Sequence, residues 1–173
     1  MTDSFWDFHN KTEMECGAAE IILKAAEFDV SRLRRPKKDP PDCEGMLDGL
    51  WSAVELTRLT HQEARAQTQK ARKERRAGRK PKTFEAYYEW DREDLLRKIQ
   101  QIIDRKDQAV SRYKNDYYKR YVLVIHTDEF RLDRANVSAF LKGASFRASQ
   151  LTDVVLGLSY VPGGYPTFRL PLT

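Results

Sequence analysis

The sequence predicts an α/β domain: a central mixed β-sheet flanked by helices. Three observations carry that expectation. Tyr121-Val122-Leu123-Val124-Ile125-His126 is an almost unbroken apolar run, as a central strand covered on both faces requires. Upstream, Asp42 to Leu50 and Trp51 to Leu59 read as the two strands of a β-hairpin. Between hairpin and buried strand, Leu95, Ile99, Ile102, Ile103, Val110 and Tyr113 recur at helical spacing and line one face. With 173 residues the chain has room for one domain with a real core, here taken as residues 1–173.

Taken in order, Glu15 to Glu27 carries Ala18, Ala19, Ile22, Leu23 and Ala26 at helical spacing and forms a short amphipathic helix. Phe28 to Arg35 has room for a short strand, and Asp39-Pro40-Pro41 breaks regular structure. Gly45 and Gly49 mark bends or bulges in the hairpin. In its second strand Trp51, Ala53, Glu55 and Thr57 point one way, while Val54, Leu56 and the stem of Arg58 point the other. Both faces are partly apolar, so Glu55 is more than a solvated strand residue. His61 to Ala77 is polar nearly all round, either an exposed helix or an arm ordered on binding. Gly78 to Lys82 is a turn or linker, and Thr83 with Glu85 to Asn115 supplies one or two long helices. Asp128 and Glu129 are expected to cap the turn after the buried strand. Arg134 to Lys142 is a short helix, and Asp153 to Tyr160 a second buried strand. Pro162-Gly163-Gly164 turns into Tyr165 to Leu170, an edge strand bounded by prolines.

Composition limits the function classes. Apolar residues make up 40% and charged residues 33%, which suits a small domain with long solvated helices. The net charge of +5 favours polyanionic partners. Cys16 and Cys43 form neither a metal-ligand spacing nor a disulfide framework, and are read as small core residues in a reducing compartment. No signal peptide or membrane-spanning run is visible, so a cytoplasmic protein without membrane contact is expected. The chain lacks a P-loop, which argues against ATP use.

The chemistry centres on two acids. Asp42 lies in Pro40-Pro41-Asp42-Cys43-Glu44 and Glu55 in Val54-Glu55-Leu56-Thr57. Facing positions of a hairpin let two carboxylates share a divalent cation. Singly, a Pro-Pro-Asp is a turn and a strand Glu faces solvent. In the order helix, hairpin with Pro-Asp and Val-Glu-Leu-Thr, helix, buried strand, the chain from about Glu15 to Ile125 resembles the PD-(D/E)XK nuclease-like superfamily. The resemblance implies a restriction-endonuclease-like core with a long helical insertion. It also implies metal-dependent cleavage of nucleic acid, with Mg²⁺ (or Mn²⁺) held by Asp42, Glu55 and the backbone carbonyl of Leu56. An acid of the first helix assists in that scheme, Glu15 by preference and Glu20 as the alternative. The physical reason stands apart from the name: phosphodiester cleavage needs a nucleophilic water and relief of developing negative charge, and a divalent cation supplies both. Mg²⁺ prefers hard oxygens and keeps several waters, so two carboxylates and a carbonyl suffice.

The departure is Thr57, which stands where the superfamily pattern places lysine. Either the lysine has moved or the site is weak or dead. Lys106 is the candidate for a moved lysine, because its spacing from Ile99, Ile102, Val110 and Tyr113 puts it on the buried stripe, facing the sheet. A buried lysine is costly without an anion. Lys98 lies off that stripe. His61 and His126 have no partner pattern and are assigned no role.

A basic segment spans about residues 61–83. Arg65, Lys70, Arg72, Lys73, Arg75, Arg76, Arg79, Lys80 and Lys82 attract phosphates of any sequence. Phe84, Tyr87, Tyr88 and Trp90 follow, either to stack on unpaired bases or to anchor the next helix in the core. Three classes remain open. The chain is a Mg²⁺-dependent endonuclease, a nuclease-fold module that binds nucleic acid without cutting it, or an interaction protein whose basic arm docks an acidic partner. DNA is the first choice of nucleic acid, and a homodimer is allowed.

Overall fold

A computed structural model describes residues 11–80, 88–129, 131–158 and 164–173. The elements run α1 (Lys11–Ala25), β1 (Val30–Arg34), β2 (Cys43–Leu47), β3 (Leu50–Arg58), α2 (Gln62–Arg76), α3 (Arg92–Ser111), β4 (Arg120–Thr127), α4 (Arg134–Leu141), β5 (Asp153–Leu158) and β6 (Thr167–Leu170). The six strands form one sheet in sequence order. β1, β2 and β3 pair antiparallel, β4 joins β3 in parallel, β5 joins β4 in parallel, and β6 closes the far edge antiparallel. The expected α/β class with a mixed sheet is therefore present. The turn expected at Pro162-Gly163 and the helix start at Thr83 and Glu85 lie outside the described residues.

The hairpin follows from Asp48-Gly49. Leu47 faces Leu50, leaving a two-residue loop, and both loop residues take positive φ (49° and 78°). That is the geometry for which Asp-Gly is favoured. Gly45 has a different cause. A Cβ there would sit 2.8 Å from the Leu33 Cα, so only glycine lets β1 approach β2 at this point. β1 is irregular between Ser31 and Arg34, with Arg32 at φ 57°.

Alternation along the strands divides the core in two. Ala53, Tyr121, Leu123 and Ile125 pack with Leu95, Ile99, Ile102, Ile103 and Val110 of α3. Val54, Val122 and Val124 pack with Ala19, Ile22 and Leu23 of α1 on the other side. A strand so covered must be apolar at successive positions, which explains β4. α1 and α3 thus lie on opposite faces, and whether a residue of β2 or β3 meets one or the other depends on its parity.

The two cysteines differ from expectation. Cys16 of α1 and Cys43 of β2 are joined as a disulfide across a separation of 27 residues. Both are buried. Spacing in the chain carried no sign of this bond, because it depends on α1 crossing the sheet at the start of β2. Among the described residues no helix is long and apolar enough to cross a membrane.

The ends of β3 and β4 also depart from expectation. Asp128 pairs with Arg58, and Glu129 accepts the His61 backbone N–H at 2.9 Å, so these acids join β4 to the β3–α2 corner. Asp133 caps α4 in their place. His126 is only 5% exposed, and burial, aided by the Arg58 charge, pushes its pKa down to about 4. The unfolded chain, with a pKa near the ordinary ~6.5, therefore takes up this proton first as pH falls. The stability this residue contributes is present above about pH 6.5 and declines toward pH 4, by on the order of 3 kcal/mol in all. Urea unfolding at pH 7 and 4.5 tests this. His126→Leu is expected to flatten the difference between the two pH values, and an unchanged difference would discount the buried imidazole.

Candidate metal and phosphate site

Strand parity builds the site. Cys43 pairs with Val54, which places Asp42, one residue earlier, beside Glu55. Cys43 and Val54 face α1, so Asp42 and Glu55 face α3. The Asp42 carboxylate is held from below: its Oδ2 accepts the Leu56 backbone N–H at 2.7 Å. Leu56 thus joins the site through its amide.

Lys106 arrives from α3. Its Nζ donates to Glu55 Oε2 at 2.7 Å and lies 3.5 Å from Asp42 Oδ2. One ammonium therefore touches both acids, from the sheet-facing stripe on which its helical spacing put it. The Glu55 side chain is 7% exposed, Lys106 19% and Asp42 30%, so the cluster opens to solvent on the Asp42 side.

A residue not foreseen for the site completes it. The Tyr113 hydroxyl donates to Glu55 Oε1 at 2.5 Å. Burial, reinforced by this bond to Glu55, holds the Tyr113 phenol far above its ordinary range. It remains a donor at every working pH, and both Glu55 oxygens are engaged. The signal was present in the chain: Tyr113 lies seven residues after Lys106, two helical turns along one face. Thr57, where lysine was expected, accepts a hydrogen bond from Arg105 at 3.4 Å.

The assisting acids stand elsewhere. Glu20 is ion-paired with Lys24 at 2.5 Å along α1. Glu15 is half-buried on α1 beside Cys16. Among the described residues no group of three or more His, Cys, Asp or Glu side chains gathers to hold a metal, so neither joins Asp42 and Glu55 in a three-acid cluster. A further buried acid, Glu44, shares the Asp42 side of β2. It is held by Arg34 at 3.2 Å and by the Tyr118 hydroxyl at 2.9 Å.

What the cluster can do follows from its charges. Asp42 and Glu55 against Lys106 leave one formal negative charge, in hard oxygen ligands with one open side. That donor set fits Mg²⁺ or Mn²⁺ bound with several waters. Lys106 has a long flexible stem and a compact charge, so its contact can pass from a carboxylate to a phosphate oxygen.

The basic segment is largely helical. Lys70, Arg72, Lys73, Arg75 and Arg76 lie on α2, and Arg79 and Lys80 just beyond; all seven are exposed. Lys82 lies outside the described residues. α2 docks through small buried residues, Ala64 and Ala71. Its N-terminus is capped by His61, whose Nδ1 accepts the Ala64 N–H at 3.3 Å. His61 therefore has a local role that its sequence context did not announce. Trp90 is buried in the α3-side core and Tyr88 packs against that core, which fits the anchoring alternative for these two aromatics.

No family model matches the chain, and neither a curated protein nor a solved structure does so.

Proposed function

We propose that the chain is a divalent-metal-dependent nuclease of the PD-(D/E)XK type whose lysine is carried by α3. The observation behind this reading is the single ammonium of Lys106 on both Asp42 and Glu55. The element order also supports it: α1, the β2–β3 hairpin, helices and then the buried strand β4 follow the order helix, hairpin, helix, buried strand on which the resemblance rests.

In this reading Asp42 and Glu55 hold Mg²⁺ or Mn²⁺, which when bound supplies an activated water and Lewis acidity at phosphate. The remaining work belongs to the chain. Leu56 N–H and Tyr113 OH fix the two carboxylates in place, so little reorganisation remains during reaction. Lys106 offsets negative charge growing on the phosphoryl oxygens. Its position above Glu55 performs the task that Thr57 cannot. The exposed cations of α2 hold the phosphodiester backbone.

Plasmid DNA, single-stranded DNA and RNA incubated with Mg²⁺ or Mn²⁺ test the proposal. Asp42→Asn and Glu55→Gln are each expected to lower the cleavage rate by roughly a hundredfold or more, as loss of several kcal/mol of charge stabilisation demands. Cleavage that persists in both variants eliminates the mechanism. The second reading, a binding module, draws on Thr57, whose hydroxyl is engaged by Arg105. Salt-sensitive binding without cleavage in either metal identifies it.

A further inference from the structure

A second feature lies on the α3 face, beyond Arg105 and toward the end of β3. A cavity of about 230 Å³ opens between the β3–α2 corner and the first half of α3. His61 and Tyr88 line it, stacked nearly parallel at 3.7 Å between ring centroids, with Trp90 edge-on to Tyr88 at 5.0 Å. Asp94, Arg97 and Lys98 supply its charge. Asp94 is already satisfied by the Tyr88 hydroxyl and the Arg97 guanidinium. Lys98 differs. It is half-buried on the cavity wall, and no acid or acceptor of the described residues meets it. A partly buried ammonium without a counter-ion is costly, and an anionic ligand removes that cost.

We propose that this cavity takes one unpaired nucleotide of a single strand, its base against the His61–Tyr88 stack and its phosphate on Lys98. The choice of nucleic acid as ligand rests on the nuclease reading above, and the cavity narrows the substrate class to strands with unpaired bases. Size agrees: the cavity is below the roughly 300–1,000 Å³ of clefts that enclose whole ligands, so it suits one link of a chain. Position agrees as well. Lys98 and Lys106 are separated on α3 by eight residues, about 12 Å of helix, so the cavity flanks the candidate cleavage site. A base stacked there sets which phosphate reaches Lys106. Duplex DNA cannot enter without first exposing a base, since every ring face in it is already stacked.

The test uses the full chain without divalent metal, so that no substrate is cut. Fluorescence anisotropy is read on three labelled probes of one sequence: a single-stranded oligodeoxynucleotide, the matching oligoribonucleotide, and the DNA duplex. At least one single strand is expected to bind more tightly than the duplex, and whichever does identifies the sugar. Lys98→Gln is expected to weaken single-strand binding several-fold and to lower the salt slope by about 0.7, as loss of one phosphate contact requires. His61→Asn keeps a capping acceptor for α2 but loses the ring, and is expected to weaken it roughly tenfold. Duplex binding, carried by α2, should change little in either variant. Thermal melting of Lys98→Gln at the parental temperature checks the fold.

Equal losses on duplex and single strand, or none on either, overturn the cavity proposal. That result together with Asp42-dependent cleavage leaves the nuclease reading intact. Selective loss of single-strand binding in a chain that cuts nothing supports the cavity and removes the cleavage reading.

Discussion

Lys106→Met lowers stability by about 3 kcal/mol, because it strips the cation from a carboxylate that stays buried. The Glu55 side chain is 7% exposed and can reach little water in compensation. Tyr113 continues to donate to Glu55 Oε1, but a neutral donor does not replace an ammonium. Asp42, at 30% exposure, is partly screened, which places the loss at the lower end of the range for broken buried pairs. On the proposed metal-binding reading, the same variant should respond to metal more strongly than its parent. Mg²⁺ at a hundred times its dissociation constant restores about 2.7 kcal/mol to any protein that binds it only when folded. Urea unfolding of parent and variant, with and without Mg²⁺, measures both effects. A variant as stable as its parent in the absence of metal would show that the three charges are not coupled.

Reduction of the Cys16–Cys43 bond, or its replacement by two alanines, is the other large effect. The bond closes a loop across 27 residues, for which chain entropy alone gives about 3.5 kcal/mol. For a chain of this size that corresponds to a fall of roughly 7–14 °C in Tm. Replacement also removes side-chain volume from a buried contact, so the double variant should melt no higher than the reduced parent. Melting curves with and without reductant decide the matter. Identical curves would restore the reading of two small core residues. Because Cys43 directly follows Asp42, the bond also fixes one end of the segment that presents the candidate metal ligand. On the proposed nuclease reading, loosening should therefore be felt in cleavage before it is felt in global unfolding.

Much of the site was legible because it depends on local periods. Alternation along a strand put Glu55 and Thr57 on one face and Val54 and Leu56 on the other. Helical spacing put Lys106 on the same stripe as Ile99, Ile102 and Val110, and that stripe is buried against the sheet. Tyr113 obeyed the same period, but an aromatic on an apolar face reads as packing until its hydroxyl is seen to meet an acid. His61 was opaque for a similar reason: capping and stacking depend on where α2 begins and on how Tyr88 returns to it. Asp128 and Glu129 were expected to act on the next turn, yet bond back to β3 and the start of α2, 70 and 68 residues earlier.

The chain by itself determined its strands, its main helices and the faces on which two acids and a lysine stand, because each depends on hydrogen bonding and burial within a few neighbouring residues. Only the tertiary structure decided that Lys106 reaches both acids, that Cys16 meets Cys43, and that Lys98 lines a cavity with no counter-ion among the described residues. Such pairings depend on how whole elements cross, and crossing is set by the packing of two cores on one sheet, which no short window of sequence contains.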